Sequence, residues 1–575
     1  MIVIKSKPAK DHLLKWLLIL GVFFLFASVF LHFHHVKNVG LDRYDVMASC
    51  ESVPLPVFSV PEGIYDQPFE LEVQTPEGYD IFYTTDGSIP TVRSYRYKRP
   101  IKIDPRKNLN KKILAIPTSF QWEMPYGEQN HCVVLRARCF RDGEGYGKVK
   151  NVIYSTPNIK QHQDFQIVHI LMEADSLFSP KRGIYVLGEK YYSKKALAAF
   201  GQQFLHMDRD LYHPGNYYQR GKNWTRPATF ILMDLSGKTL YEQNIMLNLK
   251  GKGSRTFPEK SLRIKPDNQN DTVLRYSFFN ELPYSSYKRL ALRNTDFQST
   301  MIRNPLIHRL ANGTRVDTQA DIPSVVYING NYWGIHHISE NPDEHYLAAK
   351  YVSSLPDINI LFKIPDASFA VNYGHESSLK SFEQLLDFIR ENSLADSEAY
   401  QAVCTQIDVD NFIDYMILET FFCNWDWPSN NVKIYRFERQ AELIEQQSID
   451  AGKWRWLFFD LDDGMYFPST NMFEMLRGKF NQQFVSQIFM GLMENKNFKD
   501  KFITRYEYLV KNQLASEKML EQINIFEQRY QHEMKRHIAR WRQLWDIQSW
   551  RREIEEMKNF AEERPGIVLE HLKTL

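Results

Sequence analysis

Two stretches, Asn424-Trp-Asp-Trp-Pro-Ser-Asn-Asn431 and Trp454-Arg-Trp-Leu-Phe-Phe-Asp460-Leu-Asp462-Asp463, decide how this chain is read. Each is an aromatic run that ends in carboxylates and side-chain amides. Apolar side chains drive burial, and an unpaired buried carboxylate is costly. Asp460, Asp462 and Asp463 at the end of a buried strand therefore ask for a cation or a cleft. Just upstream, Val409, Phe412, Ile413, Met416, Ile417 and Phe421 repeat at helical spacing, with Asp408 or Asp410 placed as the cap. That helix ends before Asn424, so Asp426 is expected on a loop held by a packed element, where scaffolds usually present reactive groups.

The interval from Asp426 to Asn431 matches the D-x-x-x-x-N of a protein-kinase catalytic loop, in which the Asp orients a hydroxyl and the Asn holds a metal. On this reading Asn431 and Asp460 hold Mg²⁺, with Asp462 as a further ligand, because Mg²⁺ takes oxygen ligands and keeps several waters. The competing reading of Asp426 is a polar residue satisfying the end of its own loop. A second polar stretch runs Gly251-Lys-Gly-Ser-Arg-Thr-Phe-Pro-Glu-Lys-Ser-Leu-Arg263-Ile-Lys265. Gly253, Ser254 and Arg255 offer small residues and backbone amides to an anion, and Lys260, Arg263 and Lys265 offer cations. In the strand that follows, Leu262 and Ile264 take one face and Ser261, Arg263 and Lys265 the other. A glycine turn with a solvated basic face is the plainer alternative. No G-x-x-x-x-G-K-[ST] loop and no G-x-S-x-G elbow is present. A paired-acid glycosidase would leave Asn431 and the basic strand unexplained. A zinc hydrolase would need clustered histidines, and adjacent His336 and His337 point to opposite faces of a strand.

The 575 residues leave room for several domains, and a net charge of +2 without a basic stripe argues against a nucleic-acid partner. Residues 16–33 are almost wholly apolar and follow Lys5, Lys7, Lys10 and Lys15. They are expected to form a transmembrane signal anchor behind a cytoplasmic tail, residues 1–15, with a linker over 34–53. The body would then lie outside the cytoplasm, periplasmic or extracellular. A cleaved signal peptide is the rival reading of the same segment. Of five cysteines, Cys132 and Cys139 share one small domain and are candidates for a bridge. Residues 54–157 alternate in short β runs and predict a small sandwich. Residues 164–512 read as mixed α+β, with a hairpin around Asn329-Gly330-Asn331, and 513–575 read as C-terminal helices.

Two resemblances sharpen this. Tyr83-Thr-Thr-Asp-Gly-Ser-Ile-Pro90, Pro100-Ile, Leu135-Arg-Ala and Tyr154 resemble the small β-domain at the C-termini of chitobiases and hexosaminidases. Such a module is expected to be a spacer, with glycan contact as the alternative. Gly253 through Lys265, Leu292-Arg-Asn294, Arg303-Asn304, Tyr327 through Ile335, Glu340, Asn424-Trp-Asp426, Asn430-Asn431 and Trp456 through Asp462 together resemble the spore-coat protein H (CotH) kinase family over residues 165 to 510. That resemblance implies an atypical protein-kinase-like fold, ATP and Mg²⁺ as cofactors, and Ser or Thr hydroxyls of a protein as acceptors. Carried over, Asp426 is the catalytic-loop Asp, Asn431 and Asp460 hold metal, and Lys260 is the nucleotide lysine, with Arg263 and Lys265 close behind and Glu340 as its ion-pair partner. The sequence departs from the family pattern in a long polar insertion, Glu438 to Lys453, and in Phe458-Phe459 before Asp460. A membrane-anchored kinase of the cell envelope is therefore expected. An inert kinase-like scaffold used for surface binding, or a glycan-directed kinase, are the alternatives.

Overall fold

The computed structural model describes residues 55–193, 213–269, 271–294, 300–364, 368–439, 441–442 and 448–575. The tail, anchor and linker expected over 1–53 lie outside these residues. Among the described residues no helix is long and apolar enough to cross a membrane. The expected fold with a membrane helix, and the placement of the body outside the cytoplasm that rested on it, are corrected accordingly.

The β-rich N-terminal part is built on Asp80–Thr84 (β1), Cys132–Arg141 (β2) and Glu144–Ser155 (β3), paired antiparallel in the order β1-β2-β3. Alternation sends Val133, Leu135, Val152 and Tyr154 into the module's own core. Cys132 and Cys139 are both free, which corrects the expected bridge. They lie on one extended strand, so about 3.3 Å per residue separates them by roughly 23 Å, far beyond disulfide reach.

Seven strands close a barrel: Gln166–Leu171 (β4), Arg226–Met233 (β5), Thr239–Leu249 (β6), Leu262–Pro266 (β7), Leu290–Arg293 (β8), Asp321–Ile328 (β9) and Asn331–Glu340 (β10). The order is β4-β5-β6-β7-β8-β10-β9, and the parallel pair β4–β9 closes the ring. Ile245, Leu247, Leu249, Leu262 and Ile264 fill its interior. The β9–β10 turn is Asn329-Gly330, both at positive φ (48° and 83°), the backbone a two-residue hairpin favours. Beyond the barrel, Ile358–Lys363 (β11), Phe369–Tyr373 (β12), Lys433–Phe437 (β13) and Arg455–Leu457 (β14) form a second antiparallel sheet, order β12-β11-β13-β14. The polar insertion forms a small hairpin, Ala441–Glu442 against Ser448–Ile449.

Helices cover the second sheet. Arg303–Ala311 (α1), Glu344–Lys350 (α2), Glu376–Glu391 (α3) and Val409–Phe421 (α4) precede two long C-terminal helices, Ser516–Trp541 (α5) and Ile547–Leu572 (α6). Every residue of α4 from Asn411 to Phe421 is buried, and Asp408 caps it by accepting from the Asn411 amide. Met519, Ile523, Phe526, Tyr530 and Met534 form the buried stripe of α5, which packs on β10.

Candidate active site

The loop after α4 is built from its own polar side chains. Cys423 turns into the left-handed region (φ 51°) and ends the helix path. Asn424 donates to buried Glu419 (2.9 Å), and its side-chain oxygen accepts from the Asp426 amide (3.3 Å). Trp427 anchors the loop in the core, its indole donating to the Tyr415 hydroxyl at 2.8 Å. Asp426 then receives two amides, from Asn430 at 2.7 Å and Asn431 at 2.6 Å. Burial raises its pKa, and the nearby Asp460 charge adds to the effect.

Asp460 arrives from β14. Trp456, Leu457 and Phe458 are buried, and the chain then enters the left-handed region at Asp460 (φ 63°), as it does at Asn431 (φ 54°). Asn and Asp tolerate this conformation better than most residues, and its recurrence at both positions marks a constrained site. The Leu461 amide donates to Asn304 on α1 at 3.1 Å, fixing the turn. Arg293, at the end of β8, donates to Asp460 at 2.5 Å and also to Asp462. The Asp460 side chain keeps 43% of its surface in solvent, so a ligand can reach it.

Cations gather from the barrel. Lys250 follows β6, Arg263 lies on β7, Arg293 ends β8, and Lys433 opens β13 with its ammonium on the Pro342 carbonyl (3.0 Å). Burial works to raise Asp460, but Arg293, Lys250 and Lys433 overcome it and hold the carboxylate below its usual range. Lys250 moves the other way. Desolvation and the like charge of Arg293 push it down to about 7, with Asp460 partly offsetting them. Arg255 and Arg263 are also lowered by burial and by neighbouring arginines. Asp343 and Glu344 also lie near Arg263 and Lys433, so the cluster is a mixed field in which Lys250 is the cation most weakened by desolvation and like charge.

The sequence profile of the family described as CotH kinase protein matches residues 247–568, more than half of the chain. This chain belongs to the CotH kinase family. The profile of the chitobiase/beta-hexosaminidase C-terminal domain matches residues 60–117. No curated protein matches the chain. The CotH match starts later than the resemblance over 165 to 510 and runs on through α5 into α6.

Within this CotH domain the structure brings Asp426, Asn431, Asp460 and Asp462 to one place, together with Arg263. Lys265 is two residues further along the same face, opposite Met246. Gly253 and Ser254 open a short 3-10 turn, Gly253–Thr256, whose first carbonyl accepts from Tyr218 (3.3 Å). Arg255 is buried and donates to the Leu249 carbonyl at 2.6 Å, so it staples the turn.

Lys260 stands elsewhere. It shares the parity of Leu262 and Ile264, which face the barrel interior. Its ammonium is fully buried on the carbonyls of Thr118 (2.9 Å) and Phe257. Glu340 pairs with no lysine among the described residues, which corrects the expected ion pair with Lys260. It accepts from the Tyr284 hydroxyl and from the Ala320 amide at 3.0 Å. Register explains the separation. Leu262 is level with Leu292 and Ile338, whereas Glu340 is level with Leu290 and Ile264, roughly 13 Å up the strands from Lys260.

Lys250 and Lys433 beside Asp460, and Lys252 near Asp426, are the residues that sequence reasoning missed. The signal for Lys250 was parity: Ile245, Leu247 and Leu249 point inward, so Asn248 and Lys250 share the outer face with Arg263. A groove of about 1630 Å³ lies apart and is lined by none of Asp426, Asn431, Asp460 or Asp462. Asp317, a buried carboxylate in its wall, is already satisfied by Tyr351 and Tyr435 (2.5 Å each) and Lys350 (3.3 Å).

Proposed function

We propose that this CotH-family chain is a phosphotransferase that moves the γ-phosphoryl of ATP to a Ser or Thr hydroxyl of a protein. The observation that carries this reading is the convergence of Asp426, Asn431 and Asp460 with Lys250, Arg263 and Lys433, an acid-amide-acid set beside three cations.

The residues present fit Mg²⁺. Among the described residues no cluster of three or more His, Cys, Asp or Glu side chains suits a metal. Mg²⁺ does not require one, because it binds through one or two carboxylates plus phosphate oxygens and water. Asp460 and Asp462 supply carboxylates, Asp460 held ionised by its cations, and Asn431 spends its amide nitrogen on Asp426, which leaves its amide oxygen for a metal. When bound, the ion would neutralise charge on the phosphates.

The chain's own groups do the rest. Lys250 and Arg263 bind phosphate oxygens, and as the anion arrives it restores the charge that crowding takes from Lys250. Asn430 and Asn431 fix the Asp426 carboxylate, which orients an acceptor hydroxyl and takes its proton. A raised pKa suits that task, since a stronger acid would be a poorer proton acceptor.

Purified chain incubated with γ-labelled ATP, Mg²⁺ and a pool of Ser/Thr-containing proteins tests the reading. Wild type should transfer label, and Asp426→Asn and Asp460→Ala should each lose it while remaining folded. Undiminished transfer by both variants would overturn the assignment. Arg293, which occupies both metal-side carboxylates, favours a second reading as an inert kinase-like binding scaffold. That reading requires no thermal stabilisation of wild type by Mg-ATP.

A further inference from the structure

The β-rich N-terminal part meets the kinase body on a surface that a spacer would not need. Strand β2 is buried on both faces. Val133 and Leu135 face the module's own core, whereas Cys132 and Val134, with Ile153 of β3, join the main core of the body. The segment after the first half of the module, Ile113 with Leu114, Ile116 and Trp122, packs into the barrel's interior cluster beside Tyr185, Tyr217 and Trp333.

Polar bonds follow the same path. The Cys132 amide donates to the Gly330 carbonyl at 2.7 Å, and Asn110 bridges the carbonyls of Thr85 and Asn329 (2.8 and 3.0 Å). Arg136 reaches Thr229 of β5 at 2.9 Å. The deepest contact falls on the segment between the glycine turn and β7. Thr118 donates its hydroxyl to Pro258 (2.8 Å), and its carbonyl accepts from the buried Lys260 ammonium (2.9 Å). Lys260 also sits against the rings of Tyr185 and Tyr217, 5.0 and 4.7 Å from their centres. From the other side, buried Glu259 faces His336 and His537, and Asn294 donates to the Glu259 carbonyl at 3.0 Å. Residues 257–261 are therefore held at both flanks. The turn carrying Lys250 to Arg255 and the strand carrying Arg263 leave from their two ends.

We infer that the chitobiase-type module is a fixed part of the phosphate-binding apparatus, with Thr118 and Lys260 as positioning residues that set the 251–256 turn through the 257–261 segment. This rests on the phosphotransfer reading for its kinetic consequence and on geometry alone for its structural one. A buried lysine explains why the basic stretch includes a cation on the face opposite Arg263 and Lys265: it takes the Thr118 and Phe257 carbonyls, which would otherwise be left unsatisfied. A module serving only as a spacer or a glycan reader would place its sheet face in solvent, where Cys132, Val134 and Ile153 would have no reason to be apolar.

Two glycines of the module separate interface from strain. Gly87 (φ 87°) lies so close to Asn329 that an added Cβ would stand 2.0 Å from its side-chain oxygen, whereas Gly143 (φ 83°) has nothing within 4 Å. Both lose the left-handed freedom of glycine on substitution by Ala, and only Gly87→Ala wedges the module off the β9–β10 turn. Hydrogen exchange is measured on the purified chain for wild type, Gly87→Ala, Gly143→Ala and Lys260→Met, with KM for ATP and kcat alongside. Gly87→Ala and Lys260→Met should speed exchange across residues 251–261 by about tenfold or more over Gly143→Ala. They should also raise KM for ATP more than they lower kcat. If Gly87→Ala does not fold, Lys260→Met decides alone. Unchanged exchange across 251–261, or separate unfolding of residues 55–157 and the body, would overturn the inference. Absence of phosphate transfer by wild type would defeat the phosphotransfer reading only, and the exchange result would still stand.

Discussion

On the proposed phosphotransfer reading, Lys250 is the side chain on which the phosphate end of the site turns. Its ammonium is pushed down to about 7 by desolvation and by Arg293, so in the free protein it is half charged near neutrality. An unfolded chain would hold an ordinary lysine near 10.4. Between about 7 and about 10.4 the unfolded chain therefore binds more protons. The group's cost to folding is fully present below the lower value and is relieved as pH rises through the upper one. Nucleotide binding has the opposite dependence. From about pH 7.5 to about 9 the γ-phosphate is already ionised while Lys250 discharges, so affinity for Mg-ATP should fall across that window. Lys250→Met should flatten the dependence, measured by isothermal titration, and should lower phosphate transfer by about 10²-fold or more. A pH slope retained in Lys250→Met would assign the effect elsewhere. Asp426→Asn should lower kcat by about 10² to 10⁴-fold with KM for ATP little changed, read by steady-state kinetics. Asp426 and Asp460 were legible in the sequence because each follows an aromatic-rich run that can be only core, which leaves its carboxylate at the core's edge, and Asn431 because it completes the D-x-x-x-x-N interval from Asp426. Lys250 was not, because choosing among Lys250, Lys252 and Lys260 requires knowing which strand face looks into the barrel.

At the scale of elements, α4 and β14 hold the acidic half of the site. Phe412 of α4 packs on Trp456 of β14 with ring centres 4.4 Å apart, both fully buried. Phe412→Ala should cost about 3–5 kcal/mol in denaturant unfolding, because the cavity opens directly beneath both acidic loops. Asp408 caps α4 and also receives Arg455 of β14, so Asp408→Ala should cost about 1–2 kcal/mol, more than the same change at the exposed cap Asp396. The helices were readable because a stripe repeating every three to four residues has one interpretation, as in Met519 through Met534. The Asn329-Gly330 hairpin was readable for a similar reason, since few dipeptides accept two consecutive positive φ angles. Barrel closure was not. It depends on the parallel pairing of β4 with β9, whose residues stand more than 150 positions apart, and no local pattern encodes that partnership.

Across the whole molecule, residues 55–575 form one compact unit. The module looked separable in the sequence because its polar contacts with the body use asparagine side chains and backbone carbonyls, the same groups that fill ordinary loops, and its apolar contacts use residues that a sandwich core would claim for itself. Glu340 misled for a related reason: a glutamate at a strand end fits an ion pair on paper, and only register shows Lys260 at the other end of the barrel. If the chain is a phosphotransferase, Lys250 and Arg263 from the barrel, and Asp460 and Asn431 from the second sheet and its loops, face one triphosphate. A crystal structure of the chain with Mg²⁺ and a non-hydrolysable ATP analogue decides this. Phosphate oxygens should lie on Lys250 and a Mg²⁺ on Asp460 and Asn431, with Lys260 still on the Thr118 carbonyl. Nucleotide bound in the groove around Asp317, or phosphates contacting Lys260 while Lys250 and Asp460 stay bare, would contradict it.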